Sequence, residues 1–352
     1  MIVGIPRETK EGEQRVAILP EAAAALVDDG HVVRVEHGAG AGVGHDDGAY
    51  LRAGAQPCAA VEAWQANLVV KVKEIQDLDL PHIPRGATIF SFHHLPGEAR
   101  RTRALAELQA TAIAFEMVRD DEGEYPLLAP MSEIAGKMAI EVGARLLGRD
   151  PARVLVLGAG HAGLSAARGA SRLRARVSIL TRSDRRCDAA RESGFNTEIA
   201  TPEAIERLAL EADLVVGAVF VPGEPTPKLL PRSLVRRMQR GAVIVDVSID
   251  AGGVAETSRP TTLGDPTYLE EGIIHYCVGN MPAALPAVGA AALSAAALPY
   301  VRQLATKGIA RAIRENAELR EGVLLWKGRV NHAGIAAEAG LPYAPLSDPD
   351  LA

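Results

Sequence analysis

Residues 154–163 read Val-Leu-Val-Leu-Gly158-Ala-Gly160-His161-Ala162-Gly163, an apolar strand running straight into a Gly-x-Gly-x-x-Gly turn that opens a helix of small residues. Few local patterns restrict a fold more. Gly158 permits the tight turn, Gly160 lets backbone N–H groups approach an anion with no Cβ in the way, and Gly163 allows the helix to pack close to the strand. With a strand at Arg153–Leu157, a helix over Ala162–Leu173 and a second strand at Arg176–Leu180, the unit has the βαβ form that seats a dinucleotide pyrophosphate on a helix N-terminus.

The second strand ends on Thr181-Arg182-Ser183, with Arg185 and Arg186 close behind. An NAD site usually has Asp or Glu here, about 20 residues on, to accept from the ribose hydroxyls. A guanidinium and two hydroxyls suit a 2′-phosphate better, so the residues favour NADP(H), with NAD(H) the alternative if Asp184 takes the ribose.

A chain of 352 residues with 48% hydrophobic and 23% charged residues and net charge −6 is long enough for two cores. The mild acidity and the lack of a basic stripe argue against a nucleic-acid partner. The basic run Arg232–Arg240 reads as a solvated amphipathic helix. The one long uncharged stretch, Ile273–Val301, holds prolines, glycines and Asn280, and suits a strand, a loop and a packed helix rather than a membrane span. No signal-peptide pattern opens the chain. Cys58, Cys187 and Cys277 have neither disulfide-framework nor metal spacing, so no metal site and a cytoplasmic location are expected.

Strands at 2–5, 32–36, 68–72, 89–92 and 111–115 alternate with helices at 20–28 and 98–109, the pattern of a mostly parallel sheet covered on both faces. From Val154 a second doubly wound pattern runs through 214–218 and 242–247 to 274–278. Long helices over 131–147 and after Pro286 read as connections. The expected architecture is α/β, two doubly wound Rossmann-like domains with a cleft between them. Residues 131–286 form the dinucleotide domain, and 1–130 with 287–352 form a substrate domain whose tail after Leu341 is mobile.

Ligands of open α/β sheets bind beyond the carboxyl ends of strands. Arg15, Lys73, His94 and Asp250 all follow strands there. A guanidinium and an ammonium in one cleft would hold a carboxylate and polarise an α-carbonyl, and an imidazole could exchange the proton of a carbinolamine. Of the adjacent pair His93 and His94, only one can point inward from an extended segment.

Collinear blocks along nearly the whole chain carry a resemblance: Ile2–Lys10 with Glu13-Gln14-Arg15-Val16-Ala17, Lys71–Glu74, Phe90–Leu95, Leu127–Glu133, Gly217–Gly223, Val245–Gly253, Ser258–Thr262 and Tyr276–Pro282. The chain resembles the alanine dehydrogenase branch of the family that also includes the nucleotide-binding subunit of proton-pumping transhydrogenase. The resemblance implies that Arg15 and Lys73 bind the substrate carboxylate and carbonyl, and that His94 is the general acid/base. Asp250 would sit between the nicotinamide ribose and the substrate. Ser132, Gly158, Gly160, His161, Ala162, Gly163, Thr181, Arg182, Ser183, Val219, Phe220, Val247, Ser248, Ile249, Asp250, Arg259, Val278, Asn280 and Met281 would line the cofactor.

The implied reaction interconverts a small L-2-amino acid, alanine or a related one, and its 2-oxo acid plus ammonia, in a homo-oligomer, dimer or hexamer. Three departures accompany the resemblance: Thr181 stands where the family usually has Asp, the connection Gly148–Ala152 is short, and His93, Pro96-Gly97 and Ala287-Val288 border the expected substrate pocket. Two alternatives stay open on the sequence. One is NADPH-dependent reductive condensation of a 2-oxo acid with an amino acid amine, as in carboxyethyl-ornithine synthases; the other is a non-catalytic nucleotide-binding subunit.

Overall fold

The computed structural model describes residues 1–221 and 225–351. The chain divides into two compact units, one of residues 1–130 with 285 onwards, the other of 131–284. Both are α/β. The first holds β1 (Ile2–Ile5), β2 (Val32–Glu36), β3 (Gln56–Cys58), β4 (Leu68–Val70), β5 (Thr88–Ser91) and β6 (Thr111–Ala114). The second holds β7 (Arg153–Leu157), β8 (Arg176–Thr181), β9 (Asn196–Ile199), β10 (Leu214–Gly217), β11 (Val243–Asp246), β12 (Thr267–Glu270) and β13 (Ile273–Tyr276). The C-terminal strands β14 (Val323–Trp326) and β15 (Arg329–Val330) return to the first sheet.

The spatial orders are β3-β2-β1-β4-β5-β6-β14-β15 and β9-β8-β7-β10-β11-β13-β12. The first sheet therefore begins 3-2-1-4-5-6, the doubly wound order, and the second matches it with β13 as its sixth parallel strand; antiparallel strands are added only at one edge of each. In the second sheet the period-2 geometry of a strand explains how one apolar run serves two cores. Val154 and Val156 of β7 join Val243 and Val245 of β11 in one cluster, while Leu155, Leu157 and Ile244 face the other. The helix Ala129–Leu147 lies close on the first of these, since a Cβ at Gly143 would come 2.6 Å from Leu214 Cδ2.

Two expectations are corrected. Residues 232–240 form only a one-turn helix, Arg232–Val235, because the chain must turn through Gly241 (φ +81°) into β11. The arginines there are paired rather than merely solvated, Arg232 and Arg236 both with Glu271 at 2.9 Å. The segment after Leu341 is tied down: Tyr343 bridges to Val330, Arg320 pairs with Asp348 at 2.6 Å, Arg329 pairs with Asp350 at 2.5 Å, and Leu351 is buried. Among the described residues no helix is long and apolar enough to cross a membrane.

Candidate active site

In the second unit, the turn after β7 is built as its glycines require. Gly158 has φ +109°, and a Cβ on it would stand 2.2 Å from the carbonyl oxygen of Ala218. A Cβ on Gly163 would stand 1.9 Å from the carbonyl oxygen of Gly158. Gly160 differs: among the described residues a Cβ there would meet only the Nη1 of Arg186, at 3.0 Å. The first and third glycines thus set backbone packing, and the second keeps the approach open beneath a guanidinium. The helix His161–Arg172 starts on Gly160 with no side-chain cap, the kind of helix N-terminus that receives an anion. His161 stands 3.6 Å from Glu133, and Ser132 lies in the first turn of Ala129–Leu147. The donor set fits a dinucleotide pyrophosphate.

At the ribose end β8 finishes on buried Thr181, whose Oγ1 accepts the N–H of Ser183 at 3.3 Å. Ser183 caps the helix Asp184–Glu192, its Oγ accepting the Arg186 N–H at 3.3 Å. Both hydroxyls are therefore partly engaged in shaping the turn. Arg182 is exposed, and Arg186 leans over the glycine turn, a placement that the sequence pattern alone did not single out.

The far rim of the nucleotide unit is organised around a group that the motif reading missed, the fully buried Asp246 at the end of β11. Its carboxylate accepts Ser258 Oγ at 2.6 Å, Val254 N at 2.8 Å and Ser248 N at 3.2 Å, and burial raises its pKa. Ser248 Oγ in turn accepts the N–H of Val219 at 2.8 Å. The 3₁₀ turn Val247–Ala251 presents an exposed Asp250, which accepts the N–H of Asn280 at 3.0 Å. Ile249, Val278 and Met281 are buried, Phe220 is exposed, and Arg259 stacks 3.9 Å from the Tyr268 ring centroid. Pro222 and Gly223, the end of one resemblance block, lie outside the described residues.

The first unit concentrates charge. Arg15 is 2% exposed and grips Glu13 through Nε (2.7 Å) and Nη2 (2.5 Å), a two-point contact that fixes the guanidinium plane. Glu8 accepts the N–H groups of Val72 (2.6 Å) and Lys73 (3.2 Å) and lies 3.3 Å from Lys71 Nζ; burial raises its pKa. Lys71 is wholly buried between Glu8 and Asp79. Burial alone would lower its pKa, but the two carboxylates outweigh that and hold it above the ordinary value. These acids could have been suspected from Lys71 alone, a lysine inside an apolar strand end that must have counter-charges.

Lys73 and His94 come together directly, Nζ 3.1 Å from Nε2. An ammonium has no lone pair, so Nε2 accepts and the neutral ring carries its proton on Nδ1. Burial first, then the Lys73 charge, hold the His94 pKa well below its ordinary value. Glu74 stands 3.6 Å from Lys73 and 2.5 Å from Lys10; burial opposes its charge, but the two lysines hold its carboxyl well below the usual range.

The segment is not extended through the histidine pair, because His94 has φ +43°. His93 is fully buried, its Nε2 bonded to Ile89 O at 3.3 Å and its pKa pushed down by burial to about 4, while His94 is half-buried beside Lys73. Among the described residues no His, Cys, Asp and Glu cluster could hold a metal ion.

A Rossmann-type unit with an intact glycine turn, in one chain with an α/β unit that carries a lysine–imidazole pair, defines a dinucleotide-dependent oxidoreductase. Residues 4–135 match the model "Alanine dehydrogenase/PNT, N-terminal domain" and residues 129–333 the model "Alanine dehydrogenase/PNT, C-terminal domain". The chain belongs to the alanine dehydrogenase/PNT family. It is 40% identical over 363 residues to an alanine dehydrogenase of Halomonas elongata, covering 97% of this chain and 98% of that one, and 39% identical over 368 residues to one of Staphylococcus haemolyticus, covering 99% of each. A solved L-alanine dehydrogenase superposes with a TM-score of 0.88 at 37% identity over 100% of both chains. A transhydrogenase from Sinorhizobium meliloti gives 0.81 at 25% identity, over 95% of this chain and 99% of that one.

Proposed function

We propose that this chain interconverts L-alanine, or a closely related small 2-amino acid, and its 2-oxo acid plus ammonia. The observation that carries this reading is the 3.1 Å contact between Lys73 and a neutral His94, found in a chain so similar to alanine dehydrogenases along its whole length. A bound nicotinamide would supply the hydride chemistry at the substrate Cα. Arg15, its plane fixed by Glu13, holds the substrate carboxylate. Lys73 turns its ammonium from the imidazole to the oxygen of the 2-oxo acid and polarises the carbonyl. His94, kept neutral, removes a proton from the adding ammonia and returns it to the departing water, and the reverse direction uses the same ring in the opposite sense. Asp250, exposed on its 3₁₀ turn, is assigned to the nicotinamide ribose and the substrate nitrogen. Gly158, Gly160, His161, Ala162 and Gly163 are assigned to the pyrophosphate.

The purified protein is expected to oxidise reduced cofactor with pyruvate only when ammonium is present, and to release alanine. Absence of ammonium-dependent turnover with every small 2-oxo acid would overturn the proposal.

The finer cofactor choice is NADP(H). What supports this reading is that β8 ends on Thr181 rather than on a carboxylate, that Arg182 follows it in the chain, and that Arg186 Nη1 lies 3.0 Å from a Cβ built on Gly160. A charge-assisted hydrogen bond contributes about 1.5–3 kcal/mol, so Arg182→Ala should weaken NADP(H) roughly 10- to 100-fold and leave NAD(H) nearly unchanged. Isothermal titration with both cofactors is the check, and equal losses would reject the phosphate clamp. Three free, buried cysteines support a reducing compartment, and assembly as a homo-oligomer completes the proposal.

A further inference from the structure

Glu116 lies just after β6, flanked by Phe115 and Met117, and is only 7% exposed. A carboxyl group in such surroundings is costly unless donors surround it, and burial raises its pKa. The donors it has found are the backbone of the histidine pair. Oε1 accepts the N–H of His94 at 2.7 Å and that of His93 at 3.1 Å, and Oε2 shares the His93 N–H at 3.2 Å.

These bonds fall where the chain leaves extended geometry. His94 is held at φ +43°, in the left-handed region, which a non-glycine residue keeps only when its surroundings enforce it. That turn breaks the strand alternation. The His93 ring goes into the core, and the His94 ring lies parallel to Phe92 (interplanar 6°, centroids 5.8 Å) with Nε2 at Lys73.

We infer that Glu116 is a positioning residue of the reaction: by accepting both histidine amides it holds His94 in the left-handed turn and so sets the reach of the imidazole to Lys73 and to the substrate nitrogen. The inference rests on His94 being the proton-exchanging residue. Glu116 needs reach rather than charge for this, which separates two conservative variants. Glu116→Gln keeps a carbonyl oxygen at the Oε1 position and loses the charge. Glu116→Asp keeps the charge and withdraws the acceptor by one methylene.

Misplacement by about 1 Å costs roughly 10²-fold in rate. In the full-length protein, Glu116→Asp should therefore lose roughly 10²-fold in kcat, while Glu116→Gln stays within about 5-fold of wild type. Both should keep the cofactor dissociation constant within about 2-fold, because that site belongs to the other unit. The reverse order of the two variants, equal losses in both, or unchanged turnover in both would overturn the inference. His94→Ala run alongside separates the failures. If it is inactive while Glu116→Asp is fully active, only the positioning role is lost; if it turns over like wild type, the assignment of His94 is wrong as well.

Discussion

His94→Ala is expected to lower kcat by about 10²- to 10⁴-fold, the range that a well-placed general acid/base contributes, while cofactor affinity stays within about 2-fold because the residues proposed for the cofactor belong to the other unit. The imidazole is neutral because burial and then the Lys73 ammonium at 3.1 Å both disfavour a second positive charge. The sign of the pH dependence follows. A lowered pKa means that imidazolium forms only below the ordinary value of 6.5, so the base form persists to more acid pH than an exposed histidine would allow. With rates expressed per neutral amine, the acid limb of kcat/KM in wild type should therefore lie below pH 6.5. The variant should lose that limb along with its rate. Turnover within about 5-fold of wild type, or an acid limb above the ordinary imidazole value, would show that another group moves the proton.

What could be read from the sequence divides along a physical line. The doubly wound class was legible, though not the short edge strands β3 and β9, because most βα steps write themselves locally: an apolar strand such as Val154–Leu157, then glycines, then a helix of small residues. Lys73 and His94 were legible because both follow strands. Their partners were not. Glu8 and Glu116, which accept the amides of Lys73 and His94, stand 65 and 22 residues from them in the sequence, and the β1-β4-β5-β6 order brings them together at one end of the sheet. A carboxylate buried against backbone N–H groups leaves no periodic trace in the sequence.

The misreadings have the same origin. An alternation of arginines and apolar residues over 232–240 looked helical, but Gly241 and the start of β11 stop the helix after Val235. The tail after Leu341 has the composition of a mobile end, yet long-range ion pairs from Arg320 and Arg329 fix it. His94 was placed in an extended run because nothing local in Phe92-His93-His94 announces the left-handed turn that Glu116, 22 residues away, supports.

The three glycines of the dinucleotide turn should fail in different ways when each is replaced by alanine, although one motif contains them all. At position 158 the new Cβ would stand 2.2 Å from a backbone oxygen and 3.3 Å from the Val219 nitrogen, with φ at +109°. Backbone in β-sheet surroundings cannot yield as a side chain can. The left-handed strain costs about 1–3 kcal/mol, and forcing a methyl into a packed site costs about 1–3 kcal/mol more. Gly158→Ala should therefore unfold at clearly lower urea concentration and bind neither cofactor. Gly163→Ala meets the Gly158 carbonyl at 1.9 Å and should behave alike. At position 160 the only neighbour within 4 Å among the described residues is the end of the Arg186 side chain at 3.0 Å, a side-chain tip rather than backbone. Gly160→Ala should accordingly unfold like wild type, yet lose cofactor affinity, because the methyl occupies the approach to the helix N-terminus. Urea unfolding and cofactor titration on the same three proteins read this out. If Gly160→Ala were the least stable of the set, or bound cofactor as tightly as wild type, the second glycine would be a packing residue and the pyrophosphate would have to lie elsewhere.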